Sequence, residues 1–523
     1  MPCHFGWDWG IRIVQMAIWN PVSILFYDDA RIEDYYVKQV SVNTQRANML
    51  ICRSGNLQPA LTNRKTMGKR EELSVLLVVA VTSFMGTFLI SAVNIALPTI
   101  ERNLFLTAIE LSWIITSFIL GTALFMLPAG TWGDRNDNRK LFQWGIILFT
   151  VSSLLCYFAP DGYWLIAGRF VQGVGTAFTG TTGQAILVAS FPPEKRGHVL
   201  GISVSSVYAG LALGPLAGGI LTIHTGWRSL FLIAAIFGIV TMIISLRFLK
   251  SDGKKARPAD KGDHVGTILF MAGLSTLVYG SSRIPSSLGW ALMGIAVIML
   301  FLFWRIESKS RHPLLDTRLF TRNRLFAYSS LSALINYTAT FAIVFFLSLY
   351  LQKIQGLSPR DAGAVIVAQP LMMTLFSPVV GKLSDKIQPR YFATVGMAMC
   401  SSGLAMLAFL SPDTSIGLIM GILVWVGVGF ALFSSPNMNT IMSSVKQPQY
   451  GQASGIAASM RVFGQIFSMS IITFLFSMNF GESSVDAVPD GVFMQVMQWG
   501  FLIFAMIGVP GIYFSFNRGD VKK

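Results

Sequence analysis

Long apolar runs recur along this chain, and each is long enough to cross a membrane as a helix. Leu73–Ile100 and Leu288–Trp304 are two examples. About 18–20 apolar residues in a helix span the roughly 30 Å of hydrocarbon in a bilayer. The pattern predicts fourteen membrane helices, near residues 73–99, 110–130, 141–159, 163–190, 198–223, 228–249, 264–281, 288–306, 326–352, 361–381, 391–411, 415–436, 450–478 and 492–516.

The composition supports this prediction. Of the 523 residues, 53% are hydrophobic and 12% are charged, whereas a soluble domain carries about 25% charged residues. One soluble core cannot bury so large a surplus of apolar side chains. The fold class predicted is therefore an all-α polytopic membrane protein.

The distribution of basic residues predicts the topology. The net charge is +15, and from Met67 onward the segments on one side of the predicted helices hold 26 Lys and Arg, against five on the other side. The positive-inside rule then places both ends of the helical body in the cytoplasm, in a cell membrane. A nucleic-acid interface would need a basic stripe interleaved with aromatic residues on a soluble face, and we find none.

Residues 1–66 differ from the rest of the chain. Their apolar stretches are short and contain acidic and basic residues, and they lack the features of a secretory signal. They are interpreted as the product of an upstream start assignment or, alternatively, as a small regulatory extension, with no role in transport. The four cysteines have no disulfide or metal-ligand spacing, and no metal or other cofactor is expected.

A repeat with a constant separation of 251 residues divides the helical body into two related halves. The expected domains are a six-helix bundle at 67–250, cytoplasmic linkers with an extra two-helix hairpin at 251–323, and a second six-helix bundle at 324–523. Two related bundles around a central cavity are typical of secondary transporters. The matched pairs are Thr107 and Ser358, Glu110 and Asp361, Gly130 and Gly381, and Asp134 and Asp385.

Five motifs carry a family resemblance. Gly130-Thr-Trp-Gly-Asp-Arg-Asn-Asp-Asn-Arg-Lys140 resembles the loop motif between helices 2 and 3 of the major facilitator superfamily, and Arg169-Phe-Val-Gln-Gly-Val-Gly175 resembles its helix-4 motif. Gly210-Leu-Ala-Leu-Gly-Pro-Leu-Ala-Gly-Gly219 is similar to its antiporter motif. Asn94-Ile-Ala-Leu-Pro98 and Arg461-Val-Phe-Gly464 are similar to segments of the fourteen-helix drug:proton antiporter branch. The resemblance implies an exporter of amphiphilic or cationic compounds that is driven by protons.

The chain departs from that pattern at two positions. Leu89 stands where the branch usually has an aspartate in helix 1, and Asp137 replaces a glycine of the loop motif. Proton coupling needs a group that can change charge inside the membrane, and we find no acid deep in a predicted span. Transport is therefore better supported than proton coupling.

Three residues are candidates for coupling. Arg169 places a charge within helix 4, which costs about 2.5–3.5 kcal/mol at the centre of a membrane, although it could instead extend to the edge near Tyr163. Glu110 and Asp361 lie at helix starts, where each completes a capping box and stabilises the helix dipole. A role in coupling is the alternative for both.

The loop motif and its repeat predict a gate. A carboxylate where a helix leaves the membrane can face the positive N-terminus of a helix in the other half, with a nearby arginine available. Glycine in the motif lets two backbones approach. Solvated loop charges are the alternative. The predicted gate residues are Gly130, Asp134, Arg135, Gly381, Asp385 and Arg390.

The antiporter-like motif places small residues on one face of helix 5, with a proline that kinks the helix. Close packing would explain this face, and the resemblance adds a role in sealing the transport pathway. The residues are Gly210, Gly214, Pro215, Gly218 and Gly219.

A transporter cavity is mostly apolar with a few fixed polar groups. Candidate substrate-binding residues therefore lie on spans among apolar neighbours, although any amide could instead hydrogen-bond between helices. The candidates are Asn94, Trp113, Gln184, Asn336, Gln369 and Asn437.

The leading hypothesis is export of small hydrophobic or cationic molecules in exchange for protons, by a chain that works as a monomer in the lipid bilayer. A facilitator or substrate exchanger that uses no protons is the second hypothesis. A membrane sensor on the same fold is the third, and the paired gate loops argue against it. No phosphate-binding loop or nucleophile motif suggests an enzyme.

Overall fold

The computed structural model describes residues 35–43, 46–53, 69–135, 137–191, 193–249, 264–310, 314, 317–384, 386–445 and 450–520. The chain forms two compact units, Met1–Met67 and Gly68–Lys523. In the first unit, strands β1 (Tyr35–Asn43) and β2 (Arg46–Arg53) form an antiparallel hairpin that sequence analysis did not predict. The other expectations for 1–66 lie outside the described residues.

The second unit is helical. It includes a π-helical turn, Tyr350–Ile354. In chain order the helices are α1 (Lys69–Leu104), α2 (Ala108–Arg135), α3 (Asn138–Tyr157), α4 (Gly162–Ser190), α5 (Pro193–His224), α6 (Arg228–Phe248), α7 (His264–Ser281), α8 (Ser287–Glu307), α9 (Thr317–Arg322), α10 (Arg324–Thr340), α11 (Ala342–Leu349), α12 (Pro359–Ile366), α13 (Ala368–Ser384), α14 (Pro389–Leu407), α15 (Ile416–Ser443), α16 (Tyr450–Asn479) and α17 (Asp490–Asn517).

Within the described part of the chain, eleven helical segments are long and apolar enough to cross a membrane. The prediction of an all-helical polytopic body is thereby confirmed. Three further helices, α4, α7 and α14, overlap predicted spans but are not among the eleven.

Several helices differ in detail from the predicted spans. Helix α1 continues through Pro98 to Leu104, beyond the predicted end at residue 99. The helix predicted at 361–381 is interrupted at Val367, because Pro370 has no N–H to offer the carbonyl of Ile366. Asp137, the departure from the loop motif, caps the start of α3.

Helices α1–α6 pack with one another and are called the N-half; α9–α17 pack with one another and are called the C-half. Helices α7 and α8 pack mainly against each other, and α7 also contacts α2 and α16. The halves meet where α2 contacts α16, α5 contacts α12 and α13, and α1 contacts α11. One cluster of buried apolar side chains includes residues from both halves.

Candidate gate and substrate site

Hydrogen bonds join the halves at the end of the bundle where α1 stops and α2 starts, called here the α1–α2 end. Pro98 lies inside α1 and has no N–H, so the carbonyl of Asn94 lacks its usual helical partner. The hydroxyl of Ser348 donates to that carbonyl at 2.6 Å. Nearby, the amide of Gln352 donates to the carbonyl of Ile95 at 2.9 Å. Side chains of the C-half therefore complete the hydrogen bonding of a helix in the N-half that contains a proline.

Two glycines bring α5 and α12 into backbone contact at the same end. A Cβ atom at Gly219 would lie 2.3 Å from the carbonyl oxygen of Pro359, and one at Gly363 would lie 2.2 Å from that of Pro215. Real Cβ atoms do not approach backbone so closely, so any side chain would force the helices apart. The last glycine of the antiporter-like motif therefore packs across the boundary between the halves.

The other glycines of this motif face α1 within the N-half. A Cβ atom at Gly210 would lie 2.5 Å from the carbonyl oxygen of Phe84, and one at Gly218 would lie 2.7 Å from the Cα atom of Ala92. Gly214 would meet the side chain of Ser91 at 2.5 Å. The motif thus packs α5 against two partners, α1 within the N-half and α12 in the C-half.

Helix α2 makes further contacts with the C-half. The hydroxyls of Ser112 in α2 and Thr473 in α16 are 3.0 Å apart. The backbone N–H of Ala108 donates to the carbonyl of Ser483 at 2.9 Å. Ser483 belongs to the loop between α16 and α17, residues 480–489, called here the α16–α17 loop. These contacts close the α1–α2 end between the halves.

We expect Ser348→Ala to shift the protein away from the closed α1–α2 end, because the buried Asn94 carbonyl would lose its partner. An unsatisfied buried acceptor costs about 1–3 kcal/mol, which corresponds to a roughly 5- to 150-fold change in an equilibrium. The readout is the rate at which a cysteine at Ala108, which is fully buried, reacts with a water-soluble maleimide. The host protein would have its four native cysteines replaced.

The matched control is the same substitution in a Pro98→Ala background. Alanine at position 98 supplies the missing N–H, so the Asn94 carbonyl keeps a helical partner and Ser348→Ala should have a much smaller effect. Equal effects of Ser348→Ala in both backgrounds would show that the bond to Asn94 does not hold this end closed.

Arg169 is buried inside the N-half instead of extending to an edge, with no exposed surface. Its Nε atom donates to the carbonyl of Ile114 at 3.2 Å, and Nη1 donates to the amide oxygen of Gln172 at 2.5 Å. The guanidinium carbon lies 4.2 Å from the ring centre of Phe118, and Nη2 has no hydrogen-bond partner. A positive charge is thus held between α2 and α4 without a carboxylate bonded to it.

Glu110 and Asp361 both cap helices at the α1–α2 end. The carboxylate of Glu110 accepts from the backbone N–H of Thr107 at 2.9 Å, and the hydroxyl of Thr107 accepts from the N–H of Glu110 at 3.2 Å. The N–H of Asp361 likewise donates to the hydroxyl of Ser358 at 3.2 Å. The reciprocal capping box is present at Glu110, whereas at Asp361 the Ser358 hydroxyl caps the helix and also donates to the Asp361 carboxylate at 2.7 Å. The coupling role of both acids stays a prediction.

The structure divides the candidate substrate residues into two groups. Asn437 is engaged, since it donates to the carbonyl of Ser329 and accepts from Arg518, and Gln184 donates to the hydroxyl of Ser203. The side chains of the remaining candidates are available to bind a ligand. Both amide atoms of Asn336 and the side-chain oxygens of Asn94 and Gln369 are buried without a partner, and Trp113 is half-buried in the core.

Sequence analysis missed an aromatic cluster between the halves. The hydroxyl of Tyr208 in α5 donates to the hydroxyl of Ser434 in α15 at 3.3 Å. Close to it in the C-half, the rings of Tyr337 and Phe430 meet edge to face at 5.4 Å. No motif marks these residues, but tyrosines inside otherwise apolar spans could have been noted, because a buried hydroxyl needs a partner.

The predicted gate lies at the opposite end of the bundle. The side chains of Asp134 and Arg135, and all of Asp385, lie outside the described residues. A Cβ atom at Gly130 would make only an ordinary contact of 3.5 Å, so the structure shows no close backbone approach there. At Gly381 it would meet the hydroxyl of Ser435 at 2.9 Å.

Two arginines of the C-half make polar contacts at the end of the bundle that holds the predicted gate. Arg390, predicted as a partner for the motif aspartates, pairs with Asp520 at 3.1 Å, and its predicted gate role stays a prediction because the aspartate side chains lie outside the described residues. Arg518 is buried and donates to Asn437 at 2.8 Å. Burial, with a smaller effect of Arg390, lowers the pKa of Arg518 to about 10, so its guanidinium stays charged at neutral pH.

Comparison with known proteins decides the family. The model of the Major Facilitator Superfamily matches residues 76–469. The chain belongs to the major facilitator superfamily. This confirms the resemblance drawn from the motifs, and the chain is a multi-pass membrane transporter and not an enzyme.

Among the relatives of this major facilitator protein is "Riboflavin transporter RibZ" of Clostridioides difficile (strain 630). It is 30% identical over 79% of this chain and 89% of the relative. "Multidrug resistance protein Stp" of Mycobacterium tuberculosis (strain ATCC 25618 / H37Rv) is 29% identical over 82% of this chain and 81% of the relative. The second name is consistent with the drug:proton antiporter branch.

A solved structure supports the fold. The bacterial homologue of the human lysosomal transporter Spinster, in an inward-facing and unoccupied conformation, aligns with a TM-score of 0.61 over 86% of this major facilitator protein and 98% of that chain, at 15% sequence identity. At that identity the likeness shows the fold alone.

Proposed function

We propose that this transporter exports small hydrophobic or cationic compounds in exchange for protons, by alternating access between the two halves. The observation that carries the proposal is the closed α1–α2 end, where Ser348 and the α5–α12 glycines join the halves through short, specific contacts. Such contacts can separate as a unit when the halves rock. The multidrug resistance protein among the relatives supports the substrate class.

We propose fourteen membrane spans, arranged as six, two and six. The eleven apolar segments are joined by α4, α7 and α14, with 29, 18 and 19 residues. Helices of this length can cross a bilayer, or nearly so, when they pack against neighbours. Helices α7 and α8 form the extra hairpin.

The charge distribution sets the proposed orientation. With 26 basic residues on the α2–α3 side and five on the other, the positive-inside rule places the α1–α2 end outside the cell and both ends of the helical body in the cytoplasm. We propose a monomer in the plasma membrane, with the two repeated segments at 130–135 and 381–385 as its cytoplasmic gate.

The proposed substrate site uses the unpartnered atoms of three amides, namely both amide atoms of Asn336 and the side-chain oxygens of Asn94 and Gln369. Buried polar groups cost free energy until they are hydrogen-bonded, and a bound substrate or water can supply the bond. Arg169 is the proposed coupling residue, because its buried charge responds to any nearby change of protonation or substrate charge.

The test is transport in proteoliposomes made from the full chain, with a fluorescent lipophilic cation as substrate and an imposed pH gradient. We expect cation movement that requires the gradient and stops when a protonophore dissipates it. Protein-free liposomes control for diffusion. Movement at the same rate with and without the gradient would contradict proton exchange.

A second candidate is transport of a flavin-like compound without protons. Leu89 stands in α1 where the branch usually has an acid, and its side chain is fully buried among apolar residues. One relative is a riboflavin transporter. Riboflavin is itself fluorescent, so the same vesicles can be loaded with it. Gradient-independent riboflavin exchange, with no movement of the cation, would favour this candidate.

A further inference from the structure

Glu101 is a buried acid that no predicted site includes. It lies near the end of α1 and is 2% exposed. One carboxylate oxygen accepts the backbone N–H groups of Val485, in a short contact, and of Asp486, at 3.3 Å. The other oxygen is buried and has no partner. The carboxyl group of the N-half therefore holds the α16–α17 loop of the C-half.

The charges around Glu101 do not balance it. Arg102 pairs with Asp486 at 2.5 Å. Lys353 pairs with Asp490 at 3.2 Å and donates to the carbonyls of the α16–α17 loop. These two cations and the carboxylate of Asp486 are the charged groups that act on Glu101. Each cation already has a carboxylate partner, so an ionised Glu101 would add one uncompensated negative charge.

Burial of such a charge is costly. An unpaired ionised group in a dry site loses its hydration, and the group normally becomes neutral instead. A protonated Glu101 can still accept both backbone N–H groups, because its carbonyl oxygen remains an acceptor. When the α16–α17 loop moves away, water reaches the carboxyl group and the ionised form is favoured again.

The repeat supports a neutral group at this place. Gln352 lies 251 residues after Glu101, the same separation that relates Gly130 to Gly381. Its neutral amide binds across the halves at the same end of the bundle, to the carbonyl of Ile95. One half of the protein thus uses an amide where the other uses an acid, and the acid alone can respond to pH.

We propose that Glu101 takes up a proton as the α1–α2 end closes, so that acid outside the cell favours the closed end. The external medium supplies this proton, and Glu101 releases it there when the end opens. The assignment of this end to the outside rests on the proposed function. Glu101 is then a pH-sensitive latch of the α1–α2 end. It is not the group that carries protons across the membrane.

The test uses the full chain in detergent, with the cysteine at Ala108 as a reporter of the closed end. Its maleimide reaction rate is divided by that of a cysteine at Phe409, which is 82% exposed, to correct for the general rise of thiol reactivity with pH. We expect the ratio to fall at least about threefold between about pH 8 and pH 5.5, as linkage requires of a group that binds its proton more tightly in the closed state. Glu101→Gln should give the low ratio at both pH values.

Two variants distinguish a proton latch from a structural role. Glu101→Asp keeps an acid and should keep a pH response. Loss of the response in Glu101→Asp as well as in Glu101→Gln would overturn the proposal. Glu482→Gln removes an exposed acid of the same loop and should respond like the unmodified protein. A pH response that persists unchanged in Glu101→Gln would also overturn it.

The reporter needs neither substrate nor gradient, so it separates this inference from the proposed function. If transport is independent of protons but Glu101→Gln abolishes the pH response, the latch stands and proton exchange does not. If transport requires protons but the response does not depend on Glu101, proton exchange stands and the latch does not.

Discussion

Gly219→Ala is expected to open the α1–α2 end and to reduce transport roughly tenfold or more. The added Cβ atom would lie 2.3 Å from the carbonyl oxygen of Pro359, and 2.9 Å from the Cα atom of Arg360. These are backbone atoms, so no side-chain rotation can relieve the overlap. Overpacking costs about 1–3 kcal/mol, and each 1.4 kcal/mol changes an equilibrium tenfold. In the proposed alternating-access cycle the penalty falls on the closed state alone, because α5 and α12 separate when this end opens.

The matched control for this prediction is Gly201→Ala on the same helix. A Cβ atom at Gly201 meets nothing within 4 Å, so this variant should transport normally, although the glycine-to-alanine change is identical. Transport by proteoliposomes and the reaction rate of the Ala108 cysteine are measured for both variants. Normal transport by Gly219→Ala would mean that the α5–α12 contact is not part of the working cycle.

Arg169→Met is expected to stabilise the protein while it reduces proton-linked transport. The guanidinium is fully buried, and one of its nitrogens has no partner. Replacing a poorly compensated buried charge with a packed apolar side chain can stabilise by about 1–4 kcal/mol. The same charge is the proposed coupling group, so its loss should lower gradient-driven transport by roughly 5- to 150-fold, the range of a typical coupling free energy.

Arg228→Met is the matched control. Arg228 also donates to a carbonyl, that of Ala159 at 2.9 Å, and also lies over an aromatic ring, that of Trp227 at 4.4 Å. It is only half-buried, at a helix end. We expect this variant to be slightly less stable and to transport normally. A thermal unfolding scan in detergent measures stability, and Arg169→Met would contradict the prediction if it were less stable yet fully active.

Much of the fold could be predicted, because long apolar runs in the sequence identify the membrane spans. The helix caps at Thr107 and Ser358 were also predictable, since a Ser or Thr three residues before an acid specifies local hydrogen bonds. The interruption at Val367 was harder to predict, because prolines are tolerated in membrane helices and Pro98 does not interrupt α1.

The candidate site was less predictable, because its contacts join residues far apart in the chain. Glu101 was missed since the predicted helix ended at residue 99, and nothing local connects that acid to Val485. The family motif identified Asn94 and Pro98, but only the structure pairs the Asn94 carbonyl with Ser348. The glycine motif likewise gave a packing face without its partners, which lie on both α1 and α12.

The bond between Ser348 and Asn94 also bears on how the chain is assembled. The two residues are 254 positions apart, so α1 enters the membrane long before α11 is synthesised. Until then the Asn94 carbonyl has no partner inside the bilayer, where an unsatisfied backbone group is costly. The first half therefore cannot reach its final hydrogen bonding alone, and the arrival of the second half completes it.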